Sequence, residues 1–328
     1  MTAAVVPPTV EVHLGPGDLR RALEDDVRVG LSAPDKWLAP VWFYDDRGSR
    51  LFDDITRLPE YYPTRAERLL LQTQAAAVAE RSGADTLVEL GAGTCDKTRV
   101  LLDALRRRNS LHRYVPLDVS RTTLADAADG LAHDYPGLHV HAVVGDFHRH
   151  LDRLPSGGRR LVAFLGGTIG NLTPDQRRRF LSDLDGVMGP DDRLLLGTDL
   201  VKDRRRLLAA YDDTAGVTAE FNRNVLHVLN RELGASFDPQ RFDHVAWWDE
   251  QASWIEMRLR STTRQTVKIL DLDLEVTFDA GEDLRTEISA KFTHQRVHDE
   301  LQQAGFVVEE MWDQPGGDFL LTLARPGC

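Results

Sequence analysis

Two glycines and a carboxylate stand where a nucleotide can bind. Gly91 and Gly93 form a turn directly after a largely apolar run at residues 86–90, and Asp118 ends the next apolar run, one predicted helix later. Because glycine has no Cβ, such a turn can be tight and can approach a ligand closely. A carboxylate at the following strand end can accept both hydrogens of a ribose diol. This order is typical of the first βαβ unit of a doubly wound nucleotide-binding sheet.

The residue at position 96 favours one kind of nucleotide. A dinucleotide fingerprint has a third glycine there, whereas this chain has Asp96, an anion that would repel a pyrophosphate beside the helix N-terminus. S-adenosylmethionine (SAM) contains ribose and adenine but no phosphate, and its sulfonium is positive. We therefore expect SAM. A nicotinamide-dependent oxidoreductase and an ordinary tight turn remain as alternatives, and Asp118 argues against the second.

Further polar groups follow two later predicted strands, where ligands of open α/β sheets collect. Asp146 can accept the exocyclic amine of adenine and Phe147 can lie against the base; the alternative is a capped turn with Phe147 in the core. Gly166 opens a glycine-rich loop in which a substrate can contact the backbone. Asn171 ends that loop with a donor and an acceptor, although it could equally stabilise its own turn.

A carboxylate and a hydroxyl lie two residues apart near the end of the chain. Residues 287–292 alternate between polar and apolar types. In a strand, Glu287 and Ser289 would therefore face the same side, roughly 7 Å apart. Two such groups can hold the two nitrogens of one imidazole. The alternative is a solvated strand face.

Composition excludes several classes of protein. The 328 residues are 42% hydrophobic and 28% charged, which is enough for a folded core, and the net charge of −12 argues against a general nucleic-acid binder. Two cysteines exclude a disulfide framework, and no Cys/His spacing predicts a metal site. The first residues lack the features of a signal peptide, and no run reaches the roughly 18 apolar residues that span a membrane. We expect a cytoplasmic protein without a membrane or metal partner.

Alternating strands and helices must position these groups. Strands are predicted at 87–90, 114–117, 140–144, 161–165 and 193–197, with helices at 98–108, at 120–133 and from a capping box at Thr173 to near Met188. After Asp199 the pattern changes to a helical stretch at 204–235, β-rich runs at 252–261 and 266–278, and a strand at 287–292. A helix at 296–304 and two terminal strands then resume the alternation of strands and helices seen before Asp199. A terminal strand pair after a helix is how a SAM-dependent methyltransferase sheet usually closes.

This interruption predicts two domains. Residues 65–201 and 292–328 would form the SAM-binding methyltransferase domain, and the insertion at 202–291 would join residues 1–64 as a substrate-binding lid. The expected fold class is α/β, a Rossmann-like doubly wound sheet of the class I methyltransferase type with an antiparallel closing hairpin, plus a second α+β domain. The N-terminal segment is rich in aromatic residues, and its tyrosines would suit an amine ligand.

Seven segments carry a more specific resemblance. They are residues 43–45, 58–65, 89–94, 170–174, 197–203, 219–225 and 287–292. Across nearly the whole chain they resemble the actinobacterial L-histidine Nα-methyltransferases of ergothioneine biosynthesis. The resemblance implies an enzyme that uses SAM as co-substrate, trimethylates the α-amine of histidine to hercynine and acts as a monomer.

The resemblance also implies roles for single residues. Those that would bind SAM, together with Gly93 of the turn, are Gly91, Lys97, Asp118, Asp146 and Phe147. Asn171 would hold the α-amino end of histidine and Tyr44 would face the amine, so these two are the candidate catalytic residues. Tyr211 would bind the carboxylate, and the imidazole would lie against Tyr61, Glu287 and Ser289. The pocket would be shaped by Phe52 and Met257, with Gly166 at the substrate.

Two other functions stay open. The same methyl transfer could act on tryptophan or tyrosine, but an indole needs space beside Met257 and has no use for the anion of Glu287. Alternatively, the chain could be a SAM-binding protein that has lost catalysis. The presence of an intact set of side chains, Tyr44, Asn171, Tyr211 and Glu287, argues against that alternative.

Overall fold

The structure, a computed structural model, describes residues 6–95, 97–314 and 316–327, and the chain divides into two compact units. The first unit comprises the residues up to Gly15, Arg65–Leu200 and the residues from Phe292 onward. The second comprises Pro16–Thr64 and Val201–Lys291. Asp96, on which the argument against a dinucleotide depends, lies outside the described residues.

The described residues form helices and strands in the following order. The α-helices are α1 (Pro16–Ser32), α2 (Asp46–Arg57), α3 (Pro63–Ser82), α4 (Arg99–Arg107), α5 (Arg121–Asp134), α6 (Pro174–Val187), α7 (Arg204–Tyr211), α8 (Val217–Leu233) and α9 (His294–Gln303). The β-strands are β1 (Thr9–Val12), β2 (Thr86–Leu90), β3 (Arg113–Asp118), β4 (His139–Val144), β5 (Arg160–Phe164), β6 (Arg193–Asp199), β7 (Phe242–Asp249), β8 (Trp254–Ser261), β9 (Gln265–Ile269), β10 (Leu274–Phe278), β11 (Asp283–Ala290), β12 (Phe306–Asp313) and β13 (Phe319–Pro326).

An eight-stranded sheet forms the centre of the first unit. Its strand order is β1-β4-β3-β2-β5-β6-β13-β12. The first six strands pair in parallel, while β13 runs antiparallel to both β6 and β12. Every residue of β2 and β5 is buried, as expected for parallel strands that are covered on both faces. The predicted α/β fold class with an antiparallel closing hairpin is therefore confirmed.

Local capping signals placed the starts of two helices of this unit, α5 and α6, correctly. Thr173 N–H donates to the Gln176 side chain at 2.8 Å, and Gln176 N–H donates to Thr173 Oγ1 at 3.4 Å, so the predicted capping box opens α6. Ser120 caps α5 by accepting from Thr123 N–H. A side-chain cap of this kind contributes about 0.5–2 kcal/mol to helix stability.

The second unit is built on a three-stranded antiparallel sheet. The strand order is β11-β8-β7, and β9 and β10 form a separate hairpin. In the pairing of β11 with β8, Glu287 lies opposite Met257 and Ser289 lies opposite Ile255. Helices and antiparallel strands in one unit agree with the α+β class expected for the second domain.

The structure corrects the prediction that residues 1–64 belong together. Thr9–Val12 forms β1 and pairs in parallel with β4, so it is part of the eight-stranded sheet and not of the second unit. The strand is short and mostly exposed, and its sequence carries little periodic signal. Its position is decided by the backbone groups at the open edge of β4, which need hydrogen-bond partners.

Two continuous elements predicted for the second unit are in fact interrupted. The helical stretch at 204–235 is two helices, because the Asp213 carboxylate accepts from Val217 and Thr218 N–H and begins α8 anew after Gly216 (φ 75°). The run at 266–278 is a hairpin that turns at Asp273 (φ 48°). In both places a short polar side chain or a left-handed residue ends the element.

Candidate active site

The glycine turn and Asp118 are joined at the carboxyl edge of the parallel sheet. Gly93 N–H donates to Asp118 Oδ2 at 2.9 Å, and Ser120 N–H donates to Oδ1 at 3.0 Å. Each carboxylate oxygen keeps a second lone pair with which it can accept a ribose hydroxyl. Burial raises the pKa of the Asp118 carboxyl, against the effect of its backbone donors.

The turn requires glycine because of its backbone and not because of crowding. Gly91 and Gly93 have φ angles of 71° and 52°, and no heavy atom lies within 4 Å of a Cβ built at either residue. Left-handed backbone is costly for other residues. The turn therefore leaves open space beside Asp118 that a ligand can fill.

Asp146 and Phe147 follow β4 at the same edge. Asp146 Oδ1 accepts from His148 N–H at 2.8 Å, so the capped turn left as an alternative is present. Phe147 is half-buried and makes edge contacts with Phe164 and Phe180, at centroid distances of 5.2 and 5.5 Å. The adenine contacts of both residues stay predictions.

The loop after β5 contains Gly166 and Asn171. Gly166 is exposed with a φ of 79°, and Asn171 ends a 3₁₀ helix that begins after Gly167 (φ 67°). Within the described part of the chain, the Asn171 side-chain amide makes no hydrogen bond. Stabilisation of its own turn is therefore not supported, and its contact with a substrate amine stays a prediction.

In the second unit, four predicted pocket residues form a continuous aromatic cluster. The ring centroids are 5.6 Å apart for Tyr44 and Phe52, 6.2 Å for Phe52 and Tyr61, and 6.3 Å for Tyr61 and Tyr211. All three contacts are edge-on. Tyr44 is 41% exposed while Tyr211 is 7% exposed. Folding thus brings together residues from three separate segments.

The predicted imidazole-binding pair continues this cluster. Tyr211 OH lies 2.7 Å from Ser289 Oγ, and Glu287 precedes Ser289 by two residues on β11. Glu287 is 9% exposed and its pairing partner Met257 is 2% exposed. Residues 286–290 are buried on both faces of the strand, so the solvated-face alternative is wrong.

The pKa of the Glu287 carboxyl lies near neutral pH. Burial raises the pKa of the Glu287 carboxyl from 4.5 to about 7, and the positive charge of Lys291 acts in the opposite direction. An unperturbed imidazole has a pKa of about 6.5. The pKa values of the Glu287 carboxyl and of a free imidazole are therefore close. Near neutral pH, either group could carry the proton of a hydrogen bond between them.

Comparison with known proteins identifies the family. A model described as "Histidine-specific methyltransferase, SAM-dependent" matches residues 23–326, which is well over half of the chain. The chain belongs to this family.

Individual relatives are similar along almost their full length. The "Histidine N-alpha-methyltransferase" of Mycobacterium tuberculosis (strain CDC 1551 / Oshkosh) is 56% identical over 316 residues, covering 96% of this chain and 98% of that protein. The protein of the same name from Mycolicibacterium smegmatis (strain ATCC 700084 / mc(2)155) is 54% identical, covering 95% and 97%. "Ergothioneine biosynthesis protein 1" of Neurospora crassa is 33% identical over 203 residues, which are 60% of this chain and 23% of that protein.

One buried carboxylate of this histidine-specific methyltransferase was not predicted from the sequence. Glu67 is 1% exposed; its Oε2 lies 2.5 Å from Lys97 Nζ, and its Oε1 accepts from Gly166 N–H at 2.6 Å. It therefore ties the turn after β2 to the loop after β5. A glutamate within a helix usually marks a solvated face, so the sequence carries no signal for this link.

A buried ammonium was missed in the second unit. Lys291 is 1% exposed and donates to Tyr211 OH at 2.8 Å and to Ser289 Oγ at 2.9 Å. It lies in the alternating segment 287–292, where a lysine would ordinarily point to solvent. Here its hydrogen bonds fix the positions of the Tyr211 and Ser289 hydroxyls.

Glu287 should make stability depend on pH. Its folded-state pKa lies above the unfolded value, so its contribution to stability is fully present below pH 4.5 and is lost as the pH rises through about 7. Relative to wild type, Glu287→Gln should therefore gain free energy of unfolding between pH 5 and pH 8, by up to about 3 kcal/mol. Urea denaturation at several pH values measures this difference.

The exposed Glu250 provides a matched control for the Glu287→Gln variant. Glu250→Gln is the same chemical change on the same unit, and it should leave the pH dependence of unfolding as in wild type. A constant difference between Glu287→Gln and wild type across this pH range would contradict the expectation.

Among the described residues, none of the helices combines the length and apolar character that a bilayer-spanning helix needs.

Proposed function

We propose that this protein transfers methyl groups from SAM to the α-amine of L-histidine, three times in succession, to give hercynine. Membership of the histidine-specific family and the names of the mycobacterial relatives support the substrate. The observation that carries the proposal is the buried cluster of Glu287, Ser289 and Tyr211, next to the aromatic rings of the second unit. Such a set suits a small zwitterion with an imidazole.

The residues at the carboxyl edge of the sheet fit SAM. Asp118 offers two carboxylate oxygens beside an open glycine turn, as a ribose diol requires. Asp146 and Phe147 would contact adenine, and the ammonium of Lys97 suits the carboxylate of the methionine part. When bound, SAM supplies an electrophilic methyl group on a positively charged sulfur.

Catalysis by this site would consist mainly of orientation. The amine must arrive unprotonated with its lone pair aligned to the methyl group, and holding it so can save roughly 7–11 kcal/mol in ideal cases. A carboxylate paired with the amine would raise the amine pKa and keep it protonated. We therefore assign Glu287 to the imidazole and leave the amine to Asn171 and Tyr44, which are neutral.

The polar groups of the second unit would hold the rest of the amino acid. Tyr211 OH, fixed by Lys291, would donate to the substrate carboxylate, and the nearby ammonium favours that negative charge. Glu287 and Ser289 would bind the two imidazole nitrogens. Tyr61, Phe52 and Met257 would bound the pocket around the ring.

Release of the product sets a further demand. A trimethylated amine has no N–H left, so a residue that accepted a hydrogen bond from the amine must let go of it. We propose that Tyr44 is the residue that gives up this hydrogen bond. It is 41% exposed and follows the 3₁₀ helix Pro40–Phe43. The face of an aromatic ring can still attract a quaternary ammonium.

A panel of the twenty amino acids, each incubated with SAM, tests the proposed function. Mass spectrometry should show added methyl groups on histidine alone, up to three. A site that pairs a buried carboxylate with an imidazole should favour histidine over tryptophan or tyrosine by about 10⁴-fold in kcat/KM. Methylation of tryptophan or tyrosine instead would favour the rival substrate, and absence of any product would favour a protein without catalysis.

The pathway and the cellular setting are also part of the proposal. The name of the Neurospora crassa relative and the resemblance of the chain support a role in ergothioneine biosynthesis. The resemblance supports a monomer. The sequence supports a cytoplasmic protein without metal, nucleic-acid or membrane partners.

A further inference from the structure

Two asparagines in α8 are completely buried. Asn222 and Asn224 each have 0% exposure, and they belong to the segment 219–225, to which the proposed function assigns no role. Asparagine is a poor helix former, and a buried amide is costly unless it is hydrogen-bonded. Because successive helical residues are about 100° apart, residues two apart point to nearly opposite sides. Each asparagine therefore serves a different part of the second unit.

Asn224 holds the backbone on both sides of Tyr44. Its Nδ2 donates to Phe43 O at 3.0 Å and to Asp45 Oδ1 at 2.7 Å, and its Oδ1 accepts from Arg47 Nη1 at 2.8 Å. Tyr44 stands between the two acceptors. Both N–H groups of the Asn224 amide are therefore used by the two residues that flank Tyr44.

The close packing at this point is built into the chain. A Cβ at Gly48 would lie 1.7 Å from Phe43 O and 2.8 Å from Asn224 Nδ2, so only glycine permits this approach. From the same helix, the Phe221 ring contacts the Tyr44 ring at a centroid distance of 5.5 Å. Helix α8 therefore contacts both the ring of Tyr44 and the residues that flank it.

Asn222 acts on Tyr211 through a histidine. Its Nδ2 donates to Arg258 O at 3.0 Å and lies 2.8 Å from His244 Nδ1, and His244 Nε2 lies 2.8 Å from Tyr211 O. A carbonyl can only accept, so Nε2 carries the proton, and Nδ1 accepts from Asn222. Burial lowers the pKa of His244, in agreement with a neutral ring.

We propose that Asn224 and His244 are positioning residues for methyl transfer, Asn224 for Tyr44 and His244, held by Asn222, for Tyr211. This inference rests on the proposed function, since it takes Tyr44 to face the amine and Tyr211 to bind the carboxylate. Loss of the first link should misplace the reacting amine and lower kcat. Loss of the second should weaken binding of histidine and raise its KM.

Two variants test the two links separately. Asn224→Asp is nearly isosteric but turns an oxygen toward Phe43 O and Asp45 Oδ1, and we expect kcat to fall about tenfold with little change in the KM for histidine. His244→Phe removes the donor to Tyr211 O, and we expect the KM for histidine to rise about tenfold with a smaller change in kcat. Steady-state kinetics on the full chain give both constants, and calorimetry should show unchanged SAM affinity in each variant.

Asn230 supplies the matched control. It lies in the same helix and bonds through its amide to the backbone of Phe237, at 2.8 and 2.9 Å. Asn230→Asp makes the same change away from both tyrosines and should leave kcat and KM within twofold of wild type. If Asn224→Asp fails to fold, Asn224→Ser, which keeps a small uncharged donor, takes its place with the same expectation.

The outcomes separate this inference from the proposed function. A wild-type protein that methylates histidine, together with variants that change kcat and KM in parallel or not at all, overturns the positioning roles alone. Wild-type protein that does not methylate histidine overturns the proposed function. A kcat effect confined to position 224 and a KM effect confined to position 244 support the inference, because a general loss of stability would not divide in this way.

Discussion

Glu287→Ala should weaken histidine binding by about 1.5–3 kcal/mol while SAM affinity stays intact. This is the size of a hydrogen bond that involves a charged group, and it corresponds to a loss of roughly 10- to 150-fold in affinity. Glu287 is 9% exposed, so water cannot readily replace the contact that we propose between its carboxyl and the imidazole. Isothermal titration with histidine, in the presence of S-adenosylhomocysteine, measures the change.

A second substitution separates the hydrogen bond from the charge. Glu287→Gln keeps the shape and can still bond to an imidazole nitrogen, so it should lose less affinity than Glu287→Ala. Equal losses of histidine and SAM affinity in Glu287→Ala would contradict the assignment, because they would indicate damage to the whole protein. In both variants the Lys291 ammonium loses a nearby negative charge, and this loss is part of the measured change.

Asp118→Ala should reduce SAM affinity strongly without changing which amino acid is methylated. Both oxygens of Asp118 already accept backbone N–H groups, and its carboxylate is proposed to hold the ribose diol as well. Loss of a charged acceptor costs about 1.5–3 kcal/mol, and loosening of the turn at Gly93 adds to this. Fluorescence or calorimetric titration with SAM gives the affinity, and the amino-acid panel gives the preference.

Asp118→Asn is the control for the turn. It retains one oxygen that can accept from the backbone, so it should preserve the turn better and lose less SAM affinity than Asp118→Ala. An altered preference among amino acids in either variant would count against the assignment of Asp118 to SAM, because a residue at the ribose has no contact with the acceptor.

Features that depend on neighbours in the chain could be predicted from the sequence. The capping box of Thr173 and Gln176 joins residues three apart, and the buried β2 leads directly into its glycine turn. Helix caps and strand burial follow from rules that act within a few residues. The order of such elements was enough to predict the α/β class and the closing hairpin.

Features that depend on distant partners could not be predicted. β1 is a strand because β4, about 130 residues away, offers an open edge. Glu67 and Lys97 pair across 30 positions, and Lys291 is buried although its neighbours alternate like a solvated strand. An alternating pattern shows that two faces differ, but it cannot show what covers them.

The types and spacing of its residues indicated a SAM-binding sheet and candidate contacts at Asp118, Asp146 and Asn171, whereas the roles of Tyr44, Tyr61 and Tyr211 came from the family resemblance. Folding alone decided that Tyr44, Tyr61, Tyr211 and Ser289 lie in one continuous cluster, and that a buried lysine and two buried asparagines stand around it. The reason is physical. Contacts between segments far apart in the chain arise from burial and hydrogen bonding in the folded unit, and no local rule of sequence encodes them.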